Sequence, residues 1–101
     1  MELTQQQNKF LRTLGHELSP VVMVADKGLT ENVLNAIDEG LNAHELIKVK
    51  VRLERDERAE IYEAILSETG AVRVQTIGMV LLIYRPTKAR KIELPGPKPR
   101  L

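Results

Sequence analysis

The stretch from Pro20 to Thr30, PVVMVADKGLT, constrains the fold of this chain more than any other. Val21 to Val24 is an unbroken apolar run, the pattern of a strand buried on both faces. It runs into a tight loop, Ala25-Asp26-Lys27-Gly28, and then into a helix start at Leu29, Thr30 and Glu31. Two readings of this junction stay open. In one, glycine closes an ordinary strand-to-helix connection because the turn needs a positive φ. In the other, the junction holds an anion. The first amides of a helix have no partner within it, the helix dipole adds partial positive charge, and Lys27 supplies a mobile cation beside them.

The rest of the chain alternates the two periodicities. Thr4 followed by Gln7 is a capping-box pattern with Leu3 placed to staple it, and Phe10, Leu11, Leu14 and Leu18 recur at helical spacing. These signals predict a helix from about Thr4 to His16, ending near Gly15 and before Pro20. Leu29, Val33, Leu34, Ile37 and Leu41 form the stripe of a second helix, about Thr30 to Ala43, with Thr30 as N-cap. ELIKVKVRLER is the clearest strand: Lys48, Lys50 and Arg52 alternate with apolar residues and must share one face. That face is either an ordinary half-solvated surface or a basic strip that tracks phosphates. Asp56 to Thr69 reads as a third helix, with Asp56 as cap and Gly70 in the left-handed position that stops it. Ala71–Ile77 and Met79–Tyr84 then read as an antiparallel hairpin turning near Gly78. The order αβαβαββ makes this an α+β fold, a four-stranded mixed sheet packed with three helices.

At 101 residues the chain can build one modest core, expected to span 1–94. Pro95, Pro97 and Pro99, with Lys98 and Arg100 between and beyond them, predict a flexible basic tail over 95–101. There is no cysteine, the first ten residues lack a signal-peptide pattern, and no apolar run approaches membrane-spanning length. The default expectation is a cytoplasmic protein. A net charge of +1 conceals an asymmetry: residues 1–70 carry 8 Lys/Arg against 13 Asp/Glu, and residues 71–101 carry 7 against 1. Such a split points toward a polyanion partner. Catalysis has no foothold, since the sequence offers no nucleophile–base pair, no metal-ligand spacing and no phosphate-binding loop of the Walker type. His16 and His44 lack partners at useful spacing, and the carboxylates Glu57, Glu60 and Glu63 lie on a solvated helix face beside Arg55 and Arg58. No enzyme activity, cofactor or metal is expected.

Taken in order, LRTLGHELSPVV, the strand and loop leading to GLTENVL, then ELIKVKV, ETGAVRVQTIG and LLIYRPTKARKIELP resemble one family over Leu3 to Pro95. The chain resembles the YhbY-like RNA-binding proteins, single bacterial CRM domains. The resemblance implies an αβαβαββ fold related to the C-terminal domain of a bacterial translation initiation factor. It also implies binding to RNA of the large ribosomal subunit or its precursors, with ribosomal proteins as further partners and a monomeric state. The family's GxxG loop corresponds here to Ala25-Asp26-Lys27-Gly28, with Ala25 where the pattern has its first glycine. The expectation is a weakened phosphate clamp, because a methyl crowds the approach and Asp26 adds a like charge. With the family in view, the candidate RNA contacts are Ala25, Asp26, Lys27, Gly28 and Thr30, the strip Lys48, Lys50 and Arg52, and the segment carrying Arg85, Lys88, Arg90 and Lys91. Tyr84 is a candidate stacking residue whose apolar strand favours a core role. With aromatics at 3%, recognition of RNA shape and backbone is expected over base readout. The alternative is a protein-docking module that uses its acidic helices, around Asp38–Glu39 and Glu57–Glu63.

Overall fold

The computed structural model describes residues 1–97. Its elements are α1 (Gln5–Gly15), β1 (Pro20–Val24), α2 (Glu31–His44), β2 (Leu46–Val51), α3 (Arg55–Thr69), β3 (Val72–Ile77) and β4 (Val80–Tyr84). The strands form one mixed sheet in the order β1-β2-β4-β3. β1 runs parallel to β2, and β4 is antiparallel to both of its neighbours. The expected class and element order are therefore present.

Helices α2 and α3 cover one face of the sheet. Ile37 and Leu41 from α2 and Tyr62 and Ile65 from α3 pack on Val24, Ile47, Val49, Val51, Leu81 and Ile83. Helix α1 covers part of the other face, where Leu11 meets Leu46, Val74, Leu82 and Tyr84. The alternation of each strand thus feeds two cores, one large and one small.

The capping box at α1 is formed: the Gln7 amide donates to Thr4 Oγ1 at 3.0 Å, and the Thr4 amide donates to Gln7 Oε1 at 3.0 Å. The buried stripe of α1, however, is Gln7, Leu11 and Gly15, spaced by four, while Phe10, Leu14 and Leu18 remain 37–38% exposed. Gly15 sets this orientation. A Cβ there would lie 2.6 Å from Leu82 Cδ2, so only glycine lets the helix end settle on β4 unchanged.

Three further expectations are corrected. β1 is not buried on both faces; Val21 and Met23 are 53% and 51% exposed, because β1 is an edge strand. The basic strand ends at Val51, which leaves Arg52 beyond it. The N-cap of α3 is Glu54, without a side-chain capping bond, and Asp56 sits inside the first turn, where its charge suits the helix dipole. Gln7 Nε2 donates to the carbonyls of Pro95 and Pro97. Lys98, Pro99, Arg100 and Leu101 lie outside the described residues, so the tail expectation for them is not addressed.

Candidate nucleic-acid interface

The strand-to-helix junction is a tight turn. The Gly28 amide donates to the Ala25 carbonyl at 2.7 Å, and Gly28 has φ +73. Ala25, Asp26 and Lys27 do not have positive φ, so alanine fits the first loop position without backbone strain. Only the last position of this AxxG loop requires glycine. Ala25, Asp26 and Lys27 are exposed, and space around Gly28 is open on its Cβ side. Thr30 is committed to capping: its Oγ1 accepts from the Val33 amide at 3.2 Å. Glu31 occupies the first turn of α2, where it competes with an incoming anion for the positive helix end.

Strand pairing decides which cations meet. Val24 pairs with Val51, and the Arg52 amide donates to the Val24 carbonyl at 2.8 Å. The Lys27 turn and Arg52 therefore leave the sheet side by side. The β3–β4 hairpin, Gly78-Met79, reaches the same end, because the Val51 amide donates to the Met79 carbonyl at 2.7 Å. Lys50 pairs with Met23 on one side and Val80 on the other, just inside this edge. Lys48 is one step further in and donates from Nζ to the Leu18 carbonyl at 3.0 Å. Among the described residues the side chains of Lys27, Lys50 and Arg52 make no hydrogen bond or ion pair.

The segment after β4 lies at the opposite end. Leu46 pairs with Tyr84, which places Arg85 and all that follows beside the start of β2. The six residues of β2 separate the two ends by about 20 Å. The sequence-predicted basic residues are thus divided between two sites. At this far end Arg85 is a structural residue. Its Nη1 donates to Asp38 Oδ1 at 2.6 Å and to the Thr69 carbonyl at 2.7 Å, and Nη2 donates to Asn42 Oδ1 at 2.8 Å. Lys91 Nζ donates to the Ala43 carbonyl at 2.6 Å, a cation on the C-terminal end of α2. Lys88 is exposed and Arg90 half-buried, with φ +49.

The organiser of this end is a residue the sequence did not reveal. Glu45 is fully buried and has φ +66, an uncommon conformation for a side chain of this kind. Its carboxylate accepts from the Thr87 amide at 2.8 Å, the Thr87 hydroxyl, and the Ile92 amide at 2.8 Å. Burial pushes its pKa up, but the Thr87 hydroxyl and the amides of Ile92, Thr87 and Lys91 outweigh that and hold it below the ordinary value. Its partners lie 42 and 47 residues away, so no local pattern could flag it. Tyr84 is buried at 1% exposure and belongs to the core. Burial raises its phenol pKa, with the Glu45 charge acting in the same direction.

Among the described residues no group of three His, Cys, Asp or Glu side chains is placed to hold a metal, and no helix is long and apolar enough to cross a membrane. The model of the CRS1 / YhbY (CRM) domain matches residues 3–85. The chain belongs to the CRS1/YhbY family. An RNA-binding protein of Haemophilus influenzae is 51% identical over 94 residues, covering 92% of this chain and 95% of its own. The probable RNA-binding protein YqeI of Bacillus subtilis is 39% identical over 92% of this chain and 99% of its own. The solution structure of the hypothetical protein SAV1595 from Staphylococcus aureus superposes with a TM-score of 0.79 at 38% identity, covering 93% of this chain and all of that one. Family membership thus rests on almost the whole domain, not on one motif.

Proposed function

We propose that this protein is a non-enzymatic RNA-binding factor that grips RNA of the large ribosomal subunit or its precursor through the loop end of the sheet. The observation that carries the reading is the pairing of Val24 with Val51, which brings the Lys27 turn and Arg52 together beside Lys50. Three cations without protein partners at one edge form an electrostatic footprint for phosphates. The names of the relatives support RNA as the polyanion. The assignment to ribosome assembly rests on the family resemblance. Lys48 extends the footprint onto the sheet face, and Lys88, Arg90 and Lys91 form a second, outlying cluster. The protein-docking alternative has less support, because Asp38 is bound to Arg85 and Glu63 to Arg73.

The test is a fluorescence-anisotropy titration against large-subunit ribosomal RNA fragments at low and moderate salt. Parent binding should weaken steeply with salt. Replacing Lys27 and Arg52 together by alanine should weaken it about tenfold or more at low salt and flatten the log–log salt slope by about 1.5. Both residues are exposed, so the double variant should keep its thermal unfolding midpoint. Unchanged affinity and slope would reject this surface, and no binding by the parent would reject the function.

A further inference from the structure

Helix α1 covers only the Leu46–Leu82–Tyr84 half of its sheet face. The other half, toward the Lys27 turn, is open. The β1–β2, β2–β4 and β3–β4 registers place Met23, Lys50, Val80 and Ile77 in one row across it, with Pro20, Lys48, Leu82 and Gln75 in the next row. A depression of about 180 Å³ lies between them, lined by Pro20, Lys48, Gln75, Ile77, Val80 and Leu82. Ile77 is 64% exposed, the most exposed large apolar side chain among the described residues.

We propose that this depression is a subsite for one unpaired nucleobase, with a neighbouring phosphate held at Lys50. The proposal rests on the RNA-binding reading and specifies the form of RNA that is taken. Size favours a single flat group, since the depression is smaller than the roughly 300–1,000 Å³ of sites that engulf a whole small molecule. Chemistry favours a base. The floor and walls are aliphatic, and Gln75 brings an amide that can both donate to and accept from a base edge. Charge favours a nucleic acid over a protein segment: the four strands contain no Asp or Glu, while Lys48 and Lys50 border the apolar patch. Lys50 makes no side-chain bond among the described residues and stands at the rim of the patch, while Lys48 Nζ is held by the Leu18 carbonyl. A base locked in a duplex has both faces stacked and cannot lie on this surface, so the site selects single-stranded or bulged RNA. Scarcity of aromatics therefore does not confine recognition to the backbone; the platform is aliphatic.

The experiment compares parent protein and Ile77→Ala on three probes. These are a short mixed-sequence single-stranded oligoribonucleotide, the same strand made abasic, and the corresponding duplex. The parent should bind the intact strand more tightly than the abasic strand or the duplex. Ile77→Ala should weaken binding to the intact strand about fivefold, leave the abasic strand and the duplex unchanged, and keep the salt slope of the parent. Ile77 is exposed, so folding should be unaffected, and matching thermal unfolding midpoints would show it. Salt-dependent RNA binding that ignores both base removal and Ile77→Ala overturns the subsite and leaves the RNA-binding reading standing. Absence of binding to every probe overturns both. Concentration-dependent self-association of the parent that Ile77→Ala abolishes assigns the face to a second copy of this chain and overturns the proposal.

Discussion

At the end of the sheet where β1 and β2 finish, Lys27, Lys50 and Arg52 make no side-chain bond among the described residues. At the other end, Arg85 divides its guanidinium among Asp38, Thr69 and Asn42, Lys91 is bound to the end of α2, and the chain between them is tied to the buried Glu45. Both ends are rich in basic residues, but at the far end Arg85 and Lys91 are held by the fold, and among the described residues only Lys88 and Arg90 there make no side-chain bond. Charge density along a sequence counts cations; the fold decides which of them are already in use. The far end is a structural clasp, and the loop end is the proposed binding surface.

The comparison breaks first at Glu45. Alanine there would leave the Thr87 amide, the Thr87 hydroxyl and the Ile92 amide without their acceptor, at a cost of about 2–4 kcal/mol in urea unfolding. The pH dependence follows from the lowered carboxyl pKa. Its stabilisation is complete above the ordinary value of 4.5 and is lost as pH falls through the lower folded value, so stability should drop in acid below about pH 4.5. Glu45→Gln should remove its share of that drop. If the alanine variant is as stable as the parent, the far end is not a clasp and its basic residues regain standing as contacts.

Gly15 tests why one half of the sheet face is open and the other closed. A Cβ at that position meets the Leu82 side chain at 2.6 Å, so Leu82 must move to admit it. Gly15→Ala should destabilise by about 1–3 kcal/mol in thermal or urea unfolding. Leu82 also lines the proposed base subsite, so the readout that should stay within about twofold of the parent is affinity of the folded variant for duplex RNA. A larger loss would mean that the position of α1 shapes the binding surface.

Much of this fold is legible because its signals are local. The Thr4–Gln7 capping box, the Thr30 cap, the left-handed Gly70 and the turn at Gly78 each depend on residues within a few positions of one another. What the sequence conceals depends on distant pairing. Val21–Val24 is as apolar as a fully buried strand, yet its place at the sheet edge follows from strand order, which no local pattern contains. Gln7 reads as a capping residue and also holds Pro95 and Pro97, across nearly the length of the chain. At the candidate site, Lys50 and Arg52 were legible as a strip, but their meeting with Lys27 required the parallel register of β1 on β2. The ion pair of Arg85 is hidden from the sequence for the same reason, since its partner Asp38 lies 47 positions away.

The smallest effect should come from Lys88 and Arg90, and its smallness is informative. Their side chains make no bond in the clasp among the described residues, so replacing both by alanine should leave stability within about 0.5 kcal/mol. They stand about 20 Å from the Lys27 turn along β2, beyond the Debye length of about 8 Å at physiological salt. If the gripped RNA stays at the loop end, the double variant should bind within about twofold of the parent at physiological salt, with a larger difference only in dilute buffer, where the field of distant charges is less screened. If its loss instead equals that of the Lys27/Arg52 variant and flattens the salt slope as much, the RNA spans both ends of the sheet. The outlying cluster would then be a second set of phosphate contacts, reached across the open face that carries Lys48 and Lys50.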